Sequence, residues 1–123
     1  MPTCPLFSTR RLKTLQPKKI ALLAREAADA KKAEDLVLLD VAKLTSLSHY
    51  FLITHGNSER HVKAIANGII DTLHKKSPLS HIEGMESGQW ILLDYGSVIA
   101  HIFYHELRPF YNLERLWGDA HRL

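Results

Sequence analysis

Between Ser58 and Lys76 the apolar residues Val62, Ile65, Ala66, Ile69, Ile70 and Leu73 stand at i, i+3, i+4, i+7, i+8 and i+11. That spacing is one face of an α-helix, and a helix with a single apolar stripe must bury it against another layer. Gly56-Asn57-Ser58 breaks the chain just before the stripe and offers Ser58 as N-cap, while Ser77-Pro78 forbids continuation beyond Lys76. Immediately upstream lies Tyr50-Phe-Leu-Ile-Thr54, a β-rich run too short for a helix. A strand feeding a one-sided helix restricts the chain to folds in which helices lie on a sheet.

The neighbouring segments agree. From Lys18 to near Lys32, Ile20, Leu23, Ala27 and Ala30 recur at helical steps with Arg25, Glu26, Asp29 and Lys32 between them, which predicts another amphipathic helix. Leu36-Val-Leu-Leu-Asp40 is nearly all apolar and suits a strand covered on both faces. After the polar loop Lys43 to Ser48 and the strand at 50–54, His81 to Gly84 reads as a short strand. Trp90–Asp94 and Val98–Phe103 then read as a hairpin turning across Asp94-Tyr-Gly-Ser97. Pro109 can open a last short helix that puts Phe110, Leu113, Leu116 and Trp117 mostly on one side. The order implies an α/β (α+β) domain, a mixed β-sheet of about five strands flanked by helices.

With 123 residues, 46% of them hydrophobic, one core and one domain suffice. The lone Cys4 has no internal disulfide partner, and no apolar run approaches the roughly 18 residues of a membrane span. The expectation is a cytoplasmic protein with no membrane contact. Residues 1–17, with Pro2, Pro5 and Pro17 and no period, read as a flexible extension before a domain at 18–118 and a tail at 119–123. Their Arg- and Ser-containing, acid-free character also resembles an organellar transit peptide, the lesser reading. Residues 1–20 hold five bases and no acid, which leaves eleven bases against thirteen acids, a body at −2 under a net charge of +3. The pI near 9.1 is therefore weak evidence for nucleic-acid binding by the folded part, although the basic tail can touch phosphate.

The chemistry-bearing residue types form no catalytic pattern. There are eight histidines, and His101 and His105 fall on the same face of an extended strand. No Cys pair, H-E-x-x-H or spaced third ligand accompanies them. They read as surface or partly buried imidazoles, as do His55 and His61. Gly56-Asn57-Ser58, with Arg60 and Lys63 nearby, could hold an anion at a helix start, but it lacks the second glycine and the Gly-Lys-Ser/Thr of a P-loop, so capping is preferred. Asp40 and Asp94 each end an apolar run. Two-metal transfer chemistry needs carboxylates close together on one strand, no Asp-x-Asp or Asp-x-Glu occurs, and both read as turn formers. No catalytic residue, metal or cofactor is expected.

The last third gathers Trp90, Tyr95, Tyr104, Phe110, Tyr111 and Trp117 beside Asp94, Glu106, Arg108, Glu114 and Arg115. Aromatic anchors within a charged rim compose a protein interface. Trp90 and Tyr111 read as exposed, while for Phe110 and Trp117 sealing the core is an equal reading.

Five segments, Leu38-Leu-Asp-Val41, His55-Gly-Asn-Ser-Glu-Arg-His-Val62, Glu83-Gly84, Trp90-Ile-Leu-Leu-Asp-Tyr-Gly-Ser-Val-Ile-Ala-His101 and Tyr111-Asn-Leu-Glu-Arg-Leu-Trp117, resemble in order the motifs of the ribosomal silencing factor (Iojap) family. The resemblance covers about residues 18–118. It implies a nucleotidyltransferase-like fold without the catalytic site, and binding to the large ribosomal subunit through its protein fourteen so that the small subunit cannot join. It implies partner contacts at Trp90, Asp94, Arg108, Tyr111, Glu114 and Trp117. His55 and Asn57 depart from the Thr or Ser often found beside the family's Gly-x-Ser loop, which leaves that loop's role open. A nucleotidyl-transfer enzyme and an RNA-binding module remain as alternatives, and a weak homodimer and a monomer are equally open.

Overall fold

A computed structural model describes residues 16–108, 118 and 120–123. The element order is α1 (Pro17–Ala30), β1 (Glu34–Asp40), β2 (Tyr50–Gly56), α2 (Glu59–Leu73), β3 (His81–Glu83), β4 (Trp90–Asp94), β5 (Val98–Tyr104) and β6 (His121–Arg122). The strands form one mixed sheet in the order β3-β4-β5-β2-β1-β6. β2 and β5 are parallel and all other neighbours antiparallel. A parallel pair needs a crossover, and α2 supplies it.

Both helices lie on one face of this sheet. Ile20, Ala21, Ala24, Ala27 and Ala28 of α1 join Val62, Ile65, Ala66, Ile69 and Leu73 of α2 over Leu38, Leu52, Ile91, Leu93, Ala100 and Ile102. α1 starts with Pro17 at its first turn, where the missing N–H costs no hydrogen bond. α2 starts at the expected cap: Ser58 Oγ accepts from His61 N–H at 3.0 Å. The small residues of α1 let the helices approach until Gly68 of α2 faces the Ala27 carbonyl and the Lys31 stem, where a Cβ would lie 2.9 Å from Lys31 Cγ.

The opposite face has a second apolar layer, Val37, Leu39, Val41, Phe51, Ile53 and Phe103, with Trp90, Ile99, Leu107 and Ala120 packed against it. This explains the nearly continuous apolar run in β1: Leu38 goes under the helices while Val37 and Leu39 go to the other side. Two features were not anticipated. β1 begins two residues early, at Glu34, through a bulge in which Asp35 takes φ +50. The end of the chain, expected as a tail, supplies β6, where Leu39 and Asp40 pair with Arg122 and His121, so the sheet has six strands. A two-residue edge strand carries no period from which it could be read. The helix expected after Pro109 lies outside the described residues.

Candidate functional site

Strand alternation sorts β4 cleanly. Ile91 and Leu93 are fully buried beneath the helices, whereas Trp90, Leu92 and Asp94 take the other face and are half-buried. Their cross-strand partners on β5 are Phe103, His101 and Ile99. At the sheet edge β3 adds His81 and Glu83, whose Nε2 and Oε2 are 2.7 Å apart, opposite Asp94 and Leu92.

Trp90 is more built-in than the expected exposed anchor. Its indole stacks on Phe103 with centroids 5.1 Å apart and planes at 27°, and Nε1–H donates to His101 Nδ1 at 3.3 Å. Phe51 meets His101 edge-on at 5.5 Å. His101 is only 7% exposed, and burial pushes its pKa down to about 4. The ring is therefore neutral at pH 7, with Nδ1 free of a proton to accept from Trp90. His105 lies beyond the end of β5, exposed and edge-on to Tyr104, rather than beside His101.

The register draws one row across the face: Trp90 opposes Phe103, Phe103 opposes His55, and His55 opposes Glu34. Arg108 closes its far end. Nη1 donates to His55 Nδ1 at 2.9 Å and to the Glu34 carbonyl at 3.3 Å, with Asp35 Oδ2 at 3.8 Å. Because an arginine only donates, His55 must accept at Nδ1 and carry its proton on Nε2, which donates to Glu34 Oε1 at 3.1 Å. The Thr54 hydroxyl donates to the same Glu34 carbonyl at 2.6 Å. Arg108 is 5% exposed, and its guanidinium ties the chain just past β5 to the bulge of β1.

Of the residues singled out as a site, Trp90 and Asp94 share the face opposite the helices and Arg108 stands at the end of Trp90's own row. Tyr111, Glu114 and Trp117 lie outside the described residues. Sequence reasoning missed Phe103, Glu34 and the structural uses of His55 and His101. Alternation along β5 could have flagged His101 and Phe103, but nothing local marks a bond between residues 53 positions apart.

The other candidate features have structural uses. Asp94 Oδ1 accepts from Gly96 N–H at 2.7 Å and Asp40 Oδ1 from Ala42 N–H at 3.2 Å, so both strand-end carboxylates shape turns. His61 accepts from Asn57 N–H at Nδ1 and donates from Nε2 to the Lys31 carbonyl, fastening the Gly56-Asn57-Ser58 loop to the end of α1. Among the described residues no group of three or more His, Cys, Asp or Glu side chains could hold a metal ion, and no helix is long and apolar enough to cross a membrane.

The family model described as "Ribosomal silencing factor during starvation" matches residues 14–123. The chain is 41% identical over 107 residues to the ribosomal silencing factor RsfS of Bacillus subtilis, covering 86% of this chain and 91% of that one. It is 42% identical over 99 residues to the RsfS of Halalkalibacterium halodurans, covering 80% and 85%. A crystal structure of a protein from Chromobacterium violaceum superposes with a TM-score of 0.82 at 38% identity, covering 85% of this chain and 88% of that one.

Proposed function

This chain belongs to the ribosomal silencing factor family, and on that premise we propose that it docks on protein fourteen of the large ribosomal subunit and keeps the small subunit from joining. The observation that carries the reading is the sheet face opposite the helices, where half-buried Trp90, braced by Phe103 and His101, lies on the same strand face as Asp94. Repression by occupancy needs no reaction: a domain of roughly 13 Å radius of gyration excludes whatever would share its place. A stable contact takes an interface of about 1,200–2,000 Å² with an aromatic anchor near its centre. Asp94 and Glu83 give this face acids that suit a basic ribosomal protein and would repel bare RNA.

Tyr111, Glu114 and Trp117 complete the contact, with Arg108 as the residue that aims their segment. The basic tail, residues 1–17, adds a peripheral rRNA contact, and the place of action is the cytoplasm. No cofactor or metal enters the reading, and the turn-forming use of Asp40 and Asp94 supports a protein that is not an enzyme.

The test is sedimentation with purified large subunits, before and after adding small subunits. The protein should travel with the large subunit and lower the yield of joined ribosomes. Asp94→Asn keeps an oxygen for Gly96 N–H but removes the charge, so association should slow, most clearly at low salt. An association rate that ignores both salt and this substitution refutes the electrostatic docking. Joining that proceeds normally on factor-loaded subunits refutes the steric block.

A further inference from the structure

The net charge conceals a separation. Residues 17–32 and 59–76, which hold the two helices, carry nine bases and four acids, whereas the remaining described residues carry three bases and seven acids. Both helices lie on one side of the sheet, so among the described residues the helical layer carries an excess of bases, whereas Glu83 and Asp94 stand on the opposite face.

The helix arrangement then concentrates part of that charge. Three residues separate α1 from β1 and two separate β2 from α2, so each helix runs back along its strand; β1 and β2 are antiparallel, and the helices are too. The contacts agree: His61 meets the Lys31 carbonyl, and seven residues further along α2 Gly68 faces Ala27, four residues back along α1. The helices have 14 and 15 residues, about 21–22 Å each, so their other ends also coincide. Lys18 and Lys19 at the start of α1 therefore stand at the same end of the helix pair as Lys75 and Lys76 just past the end of α2. All four are exposed, and among the described residues none makes an ion pair. The first turn of α1 has no acid, and Asp71 is the only carboxylate of the helical segments within about a turn of these lysines.

We propose that Lys18, Lys19, Lys75 and Lys76 form a second contact surface that binds the phosphate backbone of structured RNA. It rests on the ribosome-docking reading for its setting. The chemistry favours RNA over an anionic membrane, because among the described residues the exposed large hydrophobic ones, Leu44, Leu47, Ile82 and Leu123, all lie off the helices. The factor would then straddle a protein–RNA boundary, acidic face on protein and basic helix end on the neighbouring RNA.

The experiment measures binding of the full chain to a generic RNA duplex by fluorescence anisotropy from 50 to 200 mM salt. The variant combines Lys18→Gln, Lys19→Gln, Lys75→Asn and Lys76→Gln, with Asn at 75 because φ there is +69. A control of equal charge combines Lys32→Asn, Lys43→Gln, Arg60→Gln and Arg122→Gln, all exposed. Four phosphate contacts on a duplex contribute about 3.6 to the slope of log affinity against log salt, roughly a 150-fold effect over this range. The cluster variant should lose that slope and the control should keep most of it. Equal losses in both, or no loss in the first, overturn the proposal, as does a loss seen only on anionic phosphatidylserine vesicles. Large-subunit sedimentation in parallel separates the two readings: wild-type protein that binds the duplex through the cluster but ignores the subunit leaves this surface standing and refutes the docking.

Discussion

Replacing Trp90 by alanine tests the docking face and its support together. Full removal of a buried tryptophan costs about 3–5 kcal/mol. Trp90 is half-buried, but it loses a ring stack on Phe103, worth about 0.5–1.5 kcal/mol, and a hydrogen bond to His101, worth about 1 kcal/mol. The expected destabilisation is about 2–3 kcal/mol. At about 4–8 °C per kcal/mol for a domain near this size, the melting temperature should fall by roughly 10–20 °C. Domains of this kind hold about 5–15 kcal/mol, so the variant remains folded at 20 °C, where its large-subunit affinity can be measured. Trp90→Phe keeps a ring on Phe103 but loses the N–H and part of the indole's packed area, and should cost about 1–2 kcal/mol. Urea titration with both variants gives the stabilities, and sedimentation the affinities. A Trp90→Ala change below about 0.5 kcal/mol would show that the indole is not part of the second apolar layer. A full stability loss with unchanged subunit affinity would show that it is only that.

Three further predictions follow from the same geometry. His101, neutral when folded with a pKa near 4 against 6.5 for an exposed imidazole, makes the unfolded chain bind more protons between those values; stability should therefore be complete above pH 6.5 and fall by a few kcal/mol toward pH 4, and His101→Phe should flatten that slope in urea melts at stepped pH. Gly84→Ala would place a Cβ 1.9 Å from the Trp90 carbonyl oxygen at φ +82, so β3 must part from β4, costing more than about 2 kcal/mol. Gly96→Ala, at φ +84 with nothing within 4 Å, should cost only about 1–2 kcal/mol in the same denaturation assay. Tyr95 is buried, its pKa is pushed up to about 12 by that burial, and its hydroxyl has no partner among the described residues, so Tyr95→Phe should be neutral or stabilising by up to about 1 kcal/mol; a loss above 1 kcal/mol would mean the hydroxyl is satisfied.

Whatever is periodic and local in this protein could be read from its sequence. The stripe from Val62 to Leu73 defines α2 because side-chain spacing alone decides which face is apolar, and Ser58 caps it through a bond three residues long. The β4–β5 hairpin and the two turn-forming aspartates are equally local, each closed within a few residues. The parallel pairing of β2 with β5, the edge strand β6 and the bulge at Asp35 depend on which distant segments meet. The candidate site depends on the same thing: Trp90 was legible as an aromatic at a strand start, but its row through Phe103 and His55 to Glu34 exists only once four strands are in register. Arg108 reads as a surface charge until His55, 53 residues away, and Glu34, 74 away, are brought to its guanidinium. Likewise the lysines at positions 18, 19, 75 and 76 look dispersed along the chain. They come to one end of the helix pair because short connections fold both helices back over an antiparallel strand pair, and electrostatic interaction follows distance in space rather than separation in sequence.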